Sequence, residues 1–359
     1  MRKICFWIIL FLSFISNVKA ISTSARSAIL MDMDSNRILY ANNIHEVRSV
    51  ASISKIMTAI LSIENADVKQ KVTIGDEIDH SYGSGIYIKK GEVMTLEDLL
   101  YGLMLRSGND ASYAIAKNTF GSVEAFVEKM NDLANMIGMK NTTFHNPNGL
   151  DEEEGNYSTA YDMALLTSYA NKNDIYKKIV STKKYTLKTN MNTYIWYNKN
   201  KLLSTYDYTT GGKTGFTVHA RRTLVTTASK NNLNLVVVTL NDGDDFNDHK
   251  KLFEYAFNNY HSFTILKKGD LKIEDEYYRE GTLYLKNDFK YPLTKEEEEH
   301  VKVEYELLKE RTITDEMKVG TAHVYLYDEE IKKEDIYFKM NIEQKSFFEN
   351  IKEWFLNLW

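Results

Sequence analysis

The chain has one cysteine, two prolines, 17 glycines and no excess of basic charge in 359 residues. A single cysteine excludes an intramolecular disulfide and a thiolate zinc cluster. So few prolines and glycines exclude a collagen-like or low-complexity chain, and 43% hydrophobic against 26% charged residues excludes a disordered one. A formal charge of −5 excludes a nucleic-acid binder that works through bulk positive potential. The eight histidines show no H-E-x-x-H or similar ligand spacing, and no glycine-rich phosphate loop occurs. No metal, cofactor or nucleic-acid partner is therefore expected.

What is present begins at the N-terminus. Arg2 and Lys3 precede an apolar run over residues 4–15, and Val18 and Ala20 are small residues at the two positions that matter for cleavage. This predicts a signal peptide over residues 1–20, the run being short of the ~20 apolar residues of a full membrane span. Its removal takes Cys5, the only cysteine, and leaves 42 basic against 50 acidic residues. The working chain is then exported, outside the cytoplasmic membrane.

Residues 27–41 alternate apolar and polar around Asp34-Ser35-Asn36 and predict a β-hairpin. Over residues 49–65, Ile53, Ile56, Met57, Ile60 and Leu61 recur at helical spacing behind a serine-rich start, predicting a buried helix capped near its N-terminus. Residues 96–105 and 111–120 read as helices separated by Ser107-Gly108-Asn109-Asp110. Residues 141–158, with Pro147 and Gly149, read as loop, and 160–170 as helix. Residues 223–228 and 233–240 predict a hairpin of core strands, followed by a helix over 246–260. Strands at both ends with helices between predict an α+β domain over residues 21–262, one antiparallel sheet covered by helices.

After about residue 262 charge and tyrosine content rise, and short alternating runs at 282–285 and 322–327 predict a small all-β domain over 263–342. The acidic block Glu296 to Glu299 reads there as a solvated face. Residues 343–359 predict an amphipathic helix, with Phe347, Phe348, Ile351, Trp354, Phe355, Leu358 and Trp359 on one side. Residues 347–359 suit a membrane surface through Trp354 and Trp359; the alternative is a helix docked on the β domain.

Three short motifs occur in order: Ser52-Ile53-Ser54-Lys55, Ser107-Gly108-Asn109 and Lys213-Thr214-Gly215. Each alone is weak, since Ser181-Thr182-Lys183-Lys184 and Ser229-Lys230-Asn231 repeat the first two forms. Context separates them: Ser52 fronts an apolar helix and Ser107 sits in a break between helices, whereas Ser181 lies in a lysine-rich stretch and Ser229 in a hairpin turn. A serine hydroxyl needs a base to attack a carbonyl. Ser52 and Lys55, at i and i+3, lie ~5–6 Å apart at Cβ on one helical face. Lys55 serves as base only when neutral, and burial plus a second cation, for which Lys213 is the natural choice, depress its pKa. Ser107 can relay a proton to the leaving amine, and Asn109 can bind a substrate amide. Lys213-Thr214-Gly215 immediately precedes a core strand; Gly215 admits a close substrate backbone, Lys213 and Thr214 can hold a terminal carboxylate, and the amides of Phe216 and Ser52 form the expected oxyanion hole.

The ordered trio is known from penicillin-binding proteins and serine β-lactamases. Over roughly residues 22–262 the chain resembles the low-molecular-mass penicillin-binding proteins that are serine-type D-alanyl-D-alanine carboxypeptidases. The stretch Leu99-Leu100-Tyr101-Gly102-Leu103 before Ser107, Asn146-Pro147-Asn148-Gly149-Leu150, Tyr157-Ser158-Thr159-Ala160 and Asn198-Lys199-Asn200-Lys201-Leu202-Leu203 carry the likeness beyond the trio. The resemblance implies a penicillin-binding/β-lactamase-like fold and attack by Ser52 on the penultimate D-Ala carbonyl of a peptidoglycan stem pentapeptide. D-Ala departs, water hydrolyses the acyl-enzyme, and β-lactam antibiotics inhibit by acylating Ser52. Two positions depart from the family pattern: Asn156 stands where many members have His, and Asp245 where many have Arg. Carboxylate binding then falls to Thr214 and Lys213, or to Arg221 or Arg222. The alternatives are a serine β-lactamase or transpeptidase on the same fold and a non-catalytic wall-binding protein. Residues 141–162 lack the E-x-x-L-N setting of class A β-lactamases, and an intact Ser52, Lys55, Ser107 and Lys213 argue against a retired site.

Overall fold

The run Leu233–Leu240 is apolar at nearly every position, the pattern of a strand covered on both faces. A computed structural model, which describes residues 21–341 except 80, 152–153 and 310–312, places it at the centre of a five-stranded antiparallel sheet. In chain order the main elements of this domain are β1 (Ser27–Asp32), β2 (Ile38–Asn42), α1 (Lys55–Asn65), α2 (Leu96–Tyr101), α3 (Asn109–Phe120), α4 (Val123–Met136), α5 (Ala160–Ala170), α6 (Asp174–Ser181), β3 (Thr209–Thr217), β4 (Arg221–Lys230), β5 (Leu233–Leu240) and α7 (Asp245–Asn259). The sheet order is β2-β1-β5-β4-β3. Strand alternation splits β5 between two cores. Val236 and Val238 face the helical insert of α1 to α6, while Leu235 and Val237 pack with Leu252, Phe253 and Ala256 of α7.

The predicted hairpins β1–β2 and β4–β5 form, as do the helices at α1, α2, α3, α5 and α7. Three differences are informative. The serine-rich start of α1 supplies no side-chain cap: Ala51–Ser54 form a 3-10 turn, and Ser54 Oγ donates back to the Ala51 carbonyl at 2.9 Å. The helix is held by packing, since nine of its eleven residues, Lys55 to Ile63, are buried. Lys213-Thr214-Gly215 does not precede a core strand but lies inside β3, the edge strand. Helices α4 and α6, and a hairpin of Lys184–Lys188 with Thr193–Tyr197, go beyond the expectations. Charged and amide residues interrupt α4, and only Phe126, Met130, Leu133 and Ala134 are buried on it.

An all-β unit follows. His261–Leu266 pairs with Phe289–Leu293, and a five-stranded antiparallel sheet contains Gly281–Leu285, Val301–Leu307, Lys318–Leu326 and Glu329–Met340. Its core gathers Leu266, Tyr278, Leu283, Leu285, Val319, Ala322, Val324, Ile336 and Phe338. The acidic block is less solvated than expected. Glu297 closes a capping box on Thr294 and takes a two-pronged ion pair from Arg37, whose guanidinium also donates to the Pro292 carbonyl. Arg37 follows β1 and lies 5.5 and 5.0 Å from the ring centroids of Tyr260 and Tyr291, so it ties the first domain to the β unit. The predicted signal peptide and terminal helix lie outside the described residues. Among those described, no helix is long and apolar enough to cross a membrane.

Candidate active site

The first two motifs sit where their elements change conformation, and the third lies inside β3 against the first. Ala51, at φ +49°, opens the 3-10 turn that places Ser52 one turn ahead of α1. Helix α2 runs into a π-helical turn, Gly102–Arg106, which ends at Ser107 with φ +65° before α3 starts at Asn109. A left-handed serine and a π turn together are an irregularity of the kind that accumulates at functional sites. Gly215 brings the edge of β3 against the nucleophile turn: a Cβ there would meet Thr223 Oγ1 at 2.4 Å and the Ser52 amide nitrogen at 3.0 Å.

These elements converge on one buried amine. Lys55 Nζ lies 3.1 Å from Ser52 Oγ and 2.8 Å from Asn109 Oδ1, and also contacts the Asn148 carbonyl. Lys55 is fully buried and has no carboxylate within ion-pair distance among the described residues. Burial is the main reason its pKa falls from 10.5 to about 7; the charge of Lys199 lowers it further, and Asp110 opposes. Lys199, from the Asn198-Lys199-Asn200 stretch, joins Lys213, the second cation expected from the sequence, which repels Lys55 as Lys55 repels it. Lys213 is itself buried, and burial, Lys55 and Lys199 push it well below the usual range. It donates to Ser107 Oγ at 3.0 Å and to the Thr214 carbonyl at 2.6 Å.

A neutral amine has two N–H groups and one lone pair. Asn109 Oδ1 and the Asn148 carbonyl are acceptors only and take both N–H groups. The lone pair is left for Ser52, whose hydroxyl can donate to it at 3.1 Å or to the Asn148 carbonyl at 3.4 Å. The arrangement therefore fits proton removal from Ser52, and a second amine, Lys213, sits on Ser107.

Beside this cluster opens a cleft of about 340 Å³, bordered by Ser52, Ser107, Thr214, Gly215, Phe216 and Arg222. Lys199, Lys201, Ser84, Asp245 and Phe246 complete the lining, so the cleft carries more positive than negative charge. Two sequence expectations change here. Asn109 spends its amide within the protein, its Nδ2 donating to the Tyr82 carbonyl at 2.6 Å, and does not border the cleft. Lys213 does not border it either. Of the two arginines, Arg222 does. Its Nε donates to Asp245 Oδ2 at 3.1 Å and its Nη2 to Oδ1, while the guanidinium lies 5.5 Å from the Phe246 ring centroid. Asp245, 3% exposed, thus fixes an arginine supplied by β4. The decoy motifs stay apart from this site: Ser181 Oγ donates to the Lys178 carbonyl, and Ser229 Oγ to Asn234 Oδ1.

Asn148 was missed as a site residue, because its contribution is a backbone carbonyl and no side-chain pattern announces it. Lys199 was visible only as part of a stretch carrying the family likeness.

Residues 15–244 match the family model described as D-alanyl-D-alanine carboxypeptidase, well over half of the chain. The chain belongs to the D-alanyl-D-alanine carboxypeptidase family. Residues 260–344 match the C-terminal domain of penicillin-binding protein 5. Among curated carboxypeptidases of this family, DacF of Bacillus subtilis is 36% identical over 255 residues, which is 68% of this chain and 65% of that protein. DacC of Escherichia coli is 34% identical over 267 residues, 70% of this chain and again 65% of the relative. The chain thus spans about two thirds of the length of these relatives. The solved penicillin-binding protein 5 of Haemophilus influenzae superposes with a TM-score of 0.76 at 28% identity, covering 89% of this chain and 98% of that one. A Streptomyces K15 DD-transpeptidase matches at 32% identity and TM-score 0.63, over 66% of this chain.

Proposed function

We propose that this protein is a serine-type D-Ala-D-Ala carboxypeptidase that removes the terminal D-Ala from peptidoglycan stem pentapeptides through a Ser52 acyl-enzyme and is covalently inhibited by β-lactams. The observation that carries the reading is the Lys55 amine, fully buried, unpaired with any carboxylate among the described residues and 3.1 Å from Ser52 Oγ. Lys55 takes the hydroxyl proton as Ser52 Oγ attacks the penultimate carbonyl. The amides of Ser52 and Phe216 stabilise the developing oxyanion. The proton held by Lys55 passes to the departing D-Ala nitrogen with Ser107, held by Lys213, as the relay, which leaves Lys55 neutral again. Water then adds to the ester and releases the shortened peptide, returning the Ser52 proton.

The terminal carboxylate falls to Thr214 and Arg222. The Arg222 guanidinium has five N–H donors and spends two directions on Asp245, leaving donors for the cleft. The role expected of an arginine at position 245 thus passes to an arginine that the residue at 245 holds in place.

Incubation of the full chain with a labelled penicillin tests the acyl-enzyme. A covalent adduct that disappears in Ser52→Ala supports it; no adduct on the unaltered chain supports a non-catalytic wall-binding protein. Free D-Ala from a pentapeptide then separates carboxypeptidase from β-lactamase. The likeness to a DD-transpeptidase favours one further arm: if D-Ala release needs an added amino acceptor, the acyl group goes to an amine and not to water.

The export signal read in residues 1–20 and the peptidoglycan substrate both put the site of action outside the cytoplasmic membrane. Residues 347–359 are the proposed membrane attachment, resting on their sequence pattern. Deletion of 345–359 should release the protein from membrane fractions; unchanged sedimentation would reject the anchor.

A further inference from the structure

Position 156 departs from the family pattern, and the buried asparagine there has a specific set of bonds. Its Oδ1 accepts from the His145 amide at 2.8 Å and the Asn146 amide at 3.1 Å. Its Nδ2 donates to the Asn146 carbonyl at 2.9 Å. Its own carbonyl accepts from the Val50 amide at 3.1 Å, two residues before the nucleophile. One side chain therefore staples the 145–149 turn, and its backbone staples that turn to the nucleophile segment.

The turn is tightened from within. Asn146 Oδ1 accepts from the Gly149 amide at 2.6 Å and the Asn148 amide at 3.3 Å. Thr58 Oγ1, on α1, donates to the Pro147 carbonyl at 2.7 Å. Gly149 holds φ +83°, and a Cβ there would lie 2.1 Å from the Ala51 carbonyl oxygen, so the turn presses on the residue next to Ser52. The product of these bonds is the position of one group, the Asn148 carbonyl, on Lys55 Nζ. A neutral imidazole offers one donor and one acceptor on opposite sides of a ring. It cannot accept two adjacent amides and donate to the neighbouring carbonyl as this amide does.

We propose that Asn156 is a positioning residue for the general base: through the 145–149 turn it holds the Asn148 carbonyl on the Lys55 amine, so that the lone pair of that amine faces Ser52 Oγ. The inference rests on the proposed acyl-enzyme chemistry and concerns only how the base is aimed. If the turn relaxes, the Lys55 amine loses one of its two fixed acceptors and can rotate its lone pair away from Ser52. The cleft walls on β3 and β4 remain, so substrate binding should be spared.

The test is acylation of the full chain by a labelled penicillin, with the pre-covalent dissociation constant and the acylation rate constant measured separately. Asn156→Asp keeps the shape but loses the Nδ2 donor. The expected result is an acylation rate constant lowered about 10- to 100-fold, the scale of small misplacements at a reacting centre, with the pre-covalent constant changed by less than about threefold. An acylation rate constant within about twofold of the unaltered chain would overturn the proposal, as would an equal loss in both constants. If Asn156→Asp does not fold, Asn146→Ala, at a half-buried position of the same turn, is read by the same two constants. Absence of any adduct on the unaltered chain would sink the acyl-enzyme reading itself, whereas a normal adduct with an unaffected Asn156→Asp sinks only this inference.

Discussion

The two folded parts of this chain bury different things. The first domain encloses two lysine amines, Lys55 and Lys213, with no carboxylate of the described residues in an ion pair with either. The β unit encloses Leu266, Leu283, Leu285, Val319, Val324, Ile336 and Phe338, and among its described residues no charged side chain is buried. Taking an amine out of water is costly unless a counter-charge or chemistry repays it, so the first pattern is one that folding alone would not keep. The second is what folding alone requires. Both buried amines lie beside the cleft, and the β unit is tied to the first domain through Arg37 and Glu297.

The sharpest way to break this comparison is to remove the buried groups one at a time. Ser52→Ala should abolish the penicillin adduct altogether, read by intact-protein mass, with the melting temperature little changed. Lys55→Met should lower acylation about 10²- to 10⁴-fold, the range for losing a general base. Its stability should hold or rise, because the amine is a folding cost. The folded pKa of Lys55, about 7, lies below its ordinary 10.5, so the unfolded chain binds more protons between these values. The penalty is therefore full below pH 7 and fades as pH climbs toward 10.5, and calorimetry of the unaltered chain against Lys55→Met should show the difference between them closing over that window. A Lys55→Met protein that melts well below the unaltered chain at pH 6 would contradict the assignment of cost.

Arg222→Gln should reduce kcat/KM about 10²-fold for a peptide ending in a free carboxylate, and by much less for the same peptide amidated there, since a charged hydrogen bond at the cleft is worth about 1.5–3 kcal/mol. Equal losses on both peptides would remove Arg222 from carboxylate recognition. The smallest effect on chemistry belongs to the junction. Arg37→Ala should leave the acylation rate unchanged and lower stability by about 1–3 kcal/mol, because the ion pair with Glu297 is largely shielded and leaves a carboxylate behind. A fall in acylation there would show that the β unit acts on the cleft.

The sequence made the site more legible than its surroundings. Ser52, Lys55, Ser107 and Lys213 are residue types that the chemistry needs, carried by three short motifs, and their separation in the chain hides nothing about those types. The β1–β2 and β4–β5 hairpins were readable because alternation and turn residues are local signals. Helix α4 was less so, its buried stripe of Phe126, Met130, Leu133 and Ala134 diluted by charge. The Asn148 carbonyl was not legible at all, since any residue could supply it. Nor was the choice between Arg221 and Arg222 as the arginine at the cleft, which depends on the register that sets Arg222 opposite Phe216 across β3 and β4. Local pattern names the reacting groups; the contacts that aim them come from distant segments.

The account depends most on the charge state of one amine at the moment Ser52 is attacked. Measuring the rate constant of Ser52 acylation by a labelled penicillin across about pH 5 to 9 tests it directly. The account predicts a rate that falls about tenfold per pH unit below the Lys55 pKa of about 7 and levels off above it. A rate that is flat across that range, or that keeps rising toward the pKa of an ordinary lysine, would contradict it.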